Sequence, residues 1–147
     1  MIECRNLSKS YGSLQAVSEI SLRLDEHEFI SILGPSGCGK STLLRLIAGL
    51  EVPSHGEVLL DGQVISGKKI ILSPERRKFG MIFQDFALFP HLSINENVEY
   101  GASGSKKEKQ LRVHELLELV SLPHLGTKMP HQISGGEQQR VALARAL

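Results

Sequence analysis

The chain has 147 residues, with 17 lysines and arginines against 16 acids, and a formal charge of +1. An apolar share of 41% supports the core of one domain, or most of one. The near-neutral balance excludes a general field toward nucleic acid or anionic lipid, and no apolar run approaches the roughly 18 residues that span a bilayer. Met1-Ile2-Glu3-Cys4-Arg5 carries an early acid and no apolar signal core, so export is not expected. Two cysteines are too few for a disulfide framework and suit a reducing compartment; Cys4 reads as packing and Cys38 as the filler of a small-residue slot.

Residues 2–9 and 18–24 alternate as strands do, with Val17, Ile20, Leu22 and Leu24 on the apolar beat. Lys9–Ser13 and Asp25–His27 are the intervening turns. Glu28–Leu33 reads as a short buried strand. It leads into Gly34-Pro35-Ser36-Gly37-Cys38-Gly39-Lys40-Ser41-Thr42, which matches the phosphate-binding pattern G-x-x-x-x-G-K-[ST]. Leu43, Leu44, Leu46, Ile47 and Leu50 then recur at helical spacing, and Gly49 stands where the helix would stop.

A strand, a glycine loop and a helix start together make an anion site. Loop and first-turn N–H groups point inward, and the helix dipole favours negative charge there. In that pattern Lys40 reaches the β- and γ-phosphates and the Ser41 hydroxyl holds Mg²⁺. Nucleotide binding is the reading these residues support, against that of a glycine-rich turn.

Pro53–Gly56 reads as a turn and Glu57–Leu60 as a strand, with Asp61-Gly62 turning it into Gln63-Val64-Ile65. Residues 66–78 are polar and basic and read as a surface connection, with Arg76 and Arg77 as solvated charges. Gly80–Phe83 is apolar throughout, as a strand covered on both faces would be. Ser93-Ile94-Asn95-Glu96 has the form of a capping box. Ala102–Lys109 reads as an exposed loop, followed by a helix with Val113, Leu116, Leu117 and Val120 on one stripe and Pro123 at its end. Ser134-Gly135-Gly136-Glu137 introduces a last helix from about Gln138. The six histidines are scattered and offer no metal cluster.

Several of these features, in register, resemble the ATP-binding subunit of ABC transporters over essentially the whole chain. Ile133-Ser134-Gly135-Gly136-Glu137-Gln138-Gln139-Arg140 looks like the family's signature, with Ile133 in place of the usual Leu. Gln84, after the Gly80–Phe83 stretch, matches the family's loop glutamine; an amide there can coordinate Mg²⁺ or orient the attacking water. Tyr11 resembles the aromatic that stacks on adenine, and Val17 would complete that wall.

The resemblance implies an α/β fold: a P-loop sheet core with an N-terminal antiparallel β region and a helical subdomain. The divisions would be 1–84, 85–134 and 135–147. It implies a homodimer in which the Lys40 loop of one copy and the Ser134–Gly136 turn of the other enclose ATP and Mg²⁺. The apolar run Phe86–Leu92 would receive the membrane-embedded permease subunit while also serving the subdomain's own core, on the inner face of the cell membrane. Pro74-Glu75-Arg76-Arg77 and the run Phe83–Leu92 look most like bacterial importers of the ferric-iron, polyamine and sulfate group.

In complete family members the signature helix leads to a metal-holding Asp, a general-base Glu and a switch His, and this sequence stops before them. The polypeptide alone is therefore expected to expose apolar surface and to turn over ATP negligibly. Two alternatives stay open: a truncated, non-hydrolysing nucleotide-binding module, or a different P-loop ATPase.

Overall fold

A computed structural model describes residues 1–77 and 79–147. The chain divides into two compact units, Met1–Phe79 and Gly80–Leu147. Among the described residues no helix is long and apolar enough to cross a membrane.

The first unit is built on β1 (Ile2–Tyr11) and β2 (Leu14–Leu24), with β3 (His55–Leu60) and β4 (Gln63–Ser66) beyond them. All neighbours are antiparallel, in the order β2-β1-β3-β4. Cys4 faces Leu22 on one side and Val58 on the other, so the alternation read from the sequence becomes one buried face. The ladder shifts between Cys4 and Leu7, where Asn6 takes a φ of 45°. Side chains satisfy the backbone there: Ser21 Oγ accepts from Asn6 N at 3.0 Å, and Ser8 Oγ accepts from Glu19 N at 2.8 Å. The Asp61-Gly62 hairpin has φ of 48° and 78°, the double left-handed geometry a two-residue turn requires.

Helix α1 (Lys40–Ala48) lays Leu43 and Leu46 on this sheet, in a core with Cys4, Leu7, Val17, Val58 and Ile65. Its far end is closed by a residue that the sequence placed in solvent. Arg77 is 1% exposed, and its guanidinium donates to the carbonyls of Ile47 (2.8 Å), Leu46 (3.2 Å), Ile65 (3.4 Å) and Leu72 (2.8 Å). Four carbonyls replace water, including those of Leu46 and Ile47 in the last turn of α1. Arg76 is exposed, as expected. The 66–78 connection is therefore partly core, and Leu72 packs there too.

Two expected strands are not formed. Residues 28–33 and 80–83 belong to no strand, because among the described residues no ladder hydrogen bonds hold them. Phe29 and Leu33 are 91% and 88% exposed, and Ile82 is exposed as well. Apolar content proposes a strand, but a hydrogen-bonded neighbour makes one.

The second unit contains α2 (Ile94–Glu99), α3 (Lys106–Leu119) and α4 (Gly135–Ala146). Its core joins Ile94 and Val98 to Val113, Leu116, Leu117 and Val120, and to Val141 and Ala144. The stripe on α3 is as expected. Two starts come earlier than read: α3 begins at Lys106 because Ser105 and Glu108 form a capping box, and α4 begins at Gly135 because Ser134 and Glu137 form another. The Ser93 and Glu96 box that opens α2 is as read.

Candidate functional site

Gly39 caps α1 in the left-handed region, with φ 96°. A side chain there would be strained, and its Cβ would overlap the Ala16 carbonyl oxygen. The loop thus runs directly against β2, and Val17 Cγ2 lies 3.6 Å from the same point. Val17, half of the expected adenine wall, is buried at the base of the loop.

Lys40 turns its ammonium back over the loop. Nζ donates to the carbonyls of Gly34 at 2.8 Å and Pro35 at 2.7 Å, and lies 3.6 Å from Cys38 Sγ. The loop closes on itself where Cys38 N donates to Pro35 O. Gly34, Pro35, Ser36, Gly37 and Cys38 are all exposed, as is Ser41, while Thr42 is half-buried. No acid occupies the first turn of α1. The positive end of the helix, a lysine and uncovered loop amides converge with no carboxylate to cancel them, an arrangement that attracts phosphate. Ser41 presents an oxygen at the helix start, a donor suited to a hard cation shared with phosphate oxygens.

Tyr11 ends β1 and is 44% exposed. Lys9 Nζ lies 4.9 Å from its ring centroid, held there by Glu51 at 3.0 Å and the Val52 carbonyl at 2.8 Å. The Lys9 hydrogen bond, helped by one from Tyr11, holds the Glu51 carboxyl below its ordinary range. Among the described residues no hydrogen bond joins Tyr11 to the phosphate loop.

The remaining candidates belong to the second unit. Gln84 is exposed, in the turn 84–87, where Phe86 N donates to Phe83 O at 3.0 Å. Phe86 and Ala87 both have positive φ, 60° and 45°. The apolar run that follows is only partly taken into the helical core. Leu88 packs on the helical core and Phe89 is half-buried, whereas Ala87, Pro90 and His91 are exposed. Asn97, fully buried, fixes its course. Its amide donates to the carbonyls of Phe89, Leu92 and Ser93 and accepts from Phe89 N.

At the start of α4, Ser134 donates to Glu137 Oε2 at 2.7 Å, and its own N–H donates to the same oxygen. These bonds hold Glu137 below the usual carboxylate range. Gly135 and Gly136 are exposed, and a Cβ on either would meet nothing within 4 Å. The start of a helix leaves such N–H groups without an intrahelical partner.

The sequence reading missed Asn97 and Arg145. Arg145 falls on the same stripe of α4 as Gln138 and Val141, at i, i+3 and i+7, and an arginine on a buried stripe is the signal that marks it.

The phosphate loop and the capped double-glycine turn belong together in one known family. Residues 17–147 match the family described as ABC transporter. The chain belongs to the ABC transporter family.

Curated ABC relatives include the Fe(3+) ions import ATP-binding protein FbpC 2 of Pectobacterium atrosepticum, 51% identical over all of this chain and 43% of its own length. The spermidine/putrescine import ATP-binding protein PotA of Methylococcus capsulatus is 51% identical over 97% of this chain and 37% of its own. The sulfate/thiosulfate import ATP-binding protein CysA of Pectobacterium atrosepticum is 45% identical over 99% and 45%. The chain thus spans less than half the length of each. Among solved structures, dimeric MJ0796, described as a bacterial ABC transporter cassette, superposes with a TM-score of 0.88 at 37% identity, covering all of this chain and 69% of that one. A post-hydrolysis state of the same cassette, bound to ADP and Pi, gives 0.86 at 38%. The α/β class expected from the sequence is that of these ABC cassettes.

Proposed function

We propose that this chain is the nucleotide-holding part of an ATP-hydrolysing import subunit. It would couple hydrolysis to passage of a small solute of the ferric-iron, polyamine or sulfate type across the cytoplasmic membrane. The observation that carries this reading is the Lys40 ammonium held over an exposed glycine loop at an acid-free helix start. Relatives named as import ATP-binding proteins for those three solute classes support the transport part.

In this reading Lys40 and the loop residues Gly34–Thr42 hold the triphosphate. Ser41 and Gln84 supply oxygens to Mg²⁺, whose role is to neutralise the charge that develops on the phosphoryl group. Gln84 also orients the attacking water. Tyr11 and Val17 wall the base, and Lys9 would have to share the Tyr11 ring with it. Ser134, Gly135 and Gly136 act on the nucleotide of a second copy. The surface around Phe86–Leu92 docks the permease subunit, which keeps the protein on the inner face of the membrane.

The arrangement is tested by cross-linking. The full-length subunit carrying Gly136→Cys is treated with a short bis-maleimide that can join the new cysteine to the native Cys38 of a second copy. A linked dimer that forms with ATP and Mg²⁺ and not without them is the expected result. Equal linking in both conditions, or none, contradicts the shared nucleotide site.

A further inference from the structure

The turn that carries Gln84 is held from outside by a residue of α4. Arg145 Nη2 donates to the Phe86 carbonyl at 2.9 Å, and Nη1 donates to the Ala87 carbonyl at 2.7 Å. Its Cζ lies 5.5 Å from the centroid of the Phe89 ring, which leans on Tyr100 at 4.6 Å. Phe86 and Ala87 are the two residues that bend the chain through the left-handed region. A non-glycine residue adopts that conformation only when its surroundings hold it there. One planar guanidinium holds both carbonyls, with its two amino groups spaced to match them.

The backbone behind the clamp is fixed as well. Gly101 packs so closely that a Cβ there would overlap the Arg145 carbonyl, and a Cβ at Gly80 would overlap that of Ala146. Burial lowers the Arg145 pKa from its ordinary value, the cost of drawing the guanidinium in from water. The helix that supplies Arg145 is the one that begins with the Ser134 cap, so one rigid rod joins the double-glycine turn to the Gln84 turn.

We propose that Arg145 is a positioning residue for Gln84, fixing through the Phe86 and Ala87 carbonyls where the Gln84 amide stands during ATP hydrolysis. The proposal rests on the catalytic reading of Gln84 above. Because Arg145 lies on the helix that a second copy's nucleotide would touch at its start, displacement of α4 moves the Gln84 turn with it. Lysine retains the charge but brings one point donor where two are needed, so charge and geometry can be separated.

The experiment uses the full-length subunit as wild type, Arg145→Lys, Gln84→Ala and the double variant. Amide exchange is read at Phe86, whose N–H closes the turn, and at Phe89, whose N–H is held independently by Asn97. Arg145→Lys is expected to raise exchange at Phe86 at least fivefold while leaving Phe89 within twofold. It should lower kcat at least tenfold with the KM for ATP within twofold, and cause no further loss of kcat in the Gln84→Ala background. Unchanged exchange at Phe86, or an equal loss of kcat with and without Gln84, overturns the proposal. If Arg145→Lys does not accumulate folded, Arg145→Gln is read by the same criteria. A wild type that neither binds nor hydrolyses ATP refutes the function proposed above, and the exchange comparison still decides the clamp.

Discussion

Arg77 Nη1 donates to the carbonyl of Ile47 at 2.8 Å, and the same guanidinium occupies the space a Cβ on Gly49 would need. A glycine that ends the phosphate-loop helix and an arginine from a distant connection are thus one feature. The helix is held at both ends, by Gly39 against β2 and by Arg77 against its last carbonyls. Its orientation carries Lys40.

Removing Arg77 leaves up to four carbonyls without that donor, two of them in the last turn of α1. Arg77→Ala is expected to destabilise the protein by about 3 kcal/mol or more. Gly49→Ala pays for both the overlap and a left-handed φ of 82°. Because the two sites share one space, the double variant should cost clearly less than the sum of the singles. Denaturant titration of the four proteins measures this; strict additivity would show that the contact is not formed.

Glu96, Glu108 and Glu137 each sit below the ordinary glutamate value, chiefly through hydrogen bonds from Ser93, Ser105 and Ser134. A depressed carboxylate pKa stabilises the fold above the unfolded value and loses that contribution as pH falls through the folded one. All three caps open helices of the Gly80–Leu147 unit. Helical signal from that unit should therefore weaken as pH drops below about 4.5, the ordinary value from which these groups are lowered. Glu137→Gln can still accept at the cap and should flatten its share of the acid response. An acid transition unchanged by glutamine at all three positions would contradict the assignment.

The two cysteines should separate cleanly. Burial pushes the Cys4 thiol up to about 11, so at pH 8 only about one part in 10³ is thiolate, and the residue is 1% exposed. Cys38 is exposed on the phosphate loop. Iodoacetamide should modify Cys38 at least about a hundredfold faster than Cys4. Peptide mass spectrometry resolves the two rates. Comparable labelling in folded protein would mean that the Cys4 strand is not packed as described.

Much of this was legible in the sequence where the signal is local. The phosphate loop, the Asp61-Gly62 hairpin, the Ser93 capping box and the α3 stripe depend on neighbours a few residues apart, and all four are formed. Arg77 was read as solvated because nothing within a few residues betrays partners 30 and 31 positions away, at Ile47 and Leu46. Residues 28–33 and 80–83 have strand composition, yet a ladder is a property of two segments and no window along one can report it. The early start of α3 was readable from Ser105 with Glu108, but the lysines beside them argued for loop. Arg145 shows the same limit: its stripe position was visible, whereas its grip on Phe86 and Ala87 spans nearly the whole helical unit.

The central claim is that the Lys40 loop grips a triphosphate. Equilibrium titration of the full-length subunit with a fluorescent ATP analogue, wild type against Lys40→Ala, tests it most directly. Removing the ammonium from above Gly34 and Pro35 is expected to weaken binding at least about a hundredfold, or about 2.7 kcal/mol. Equal affinity for the two proteins would contradict the account.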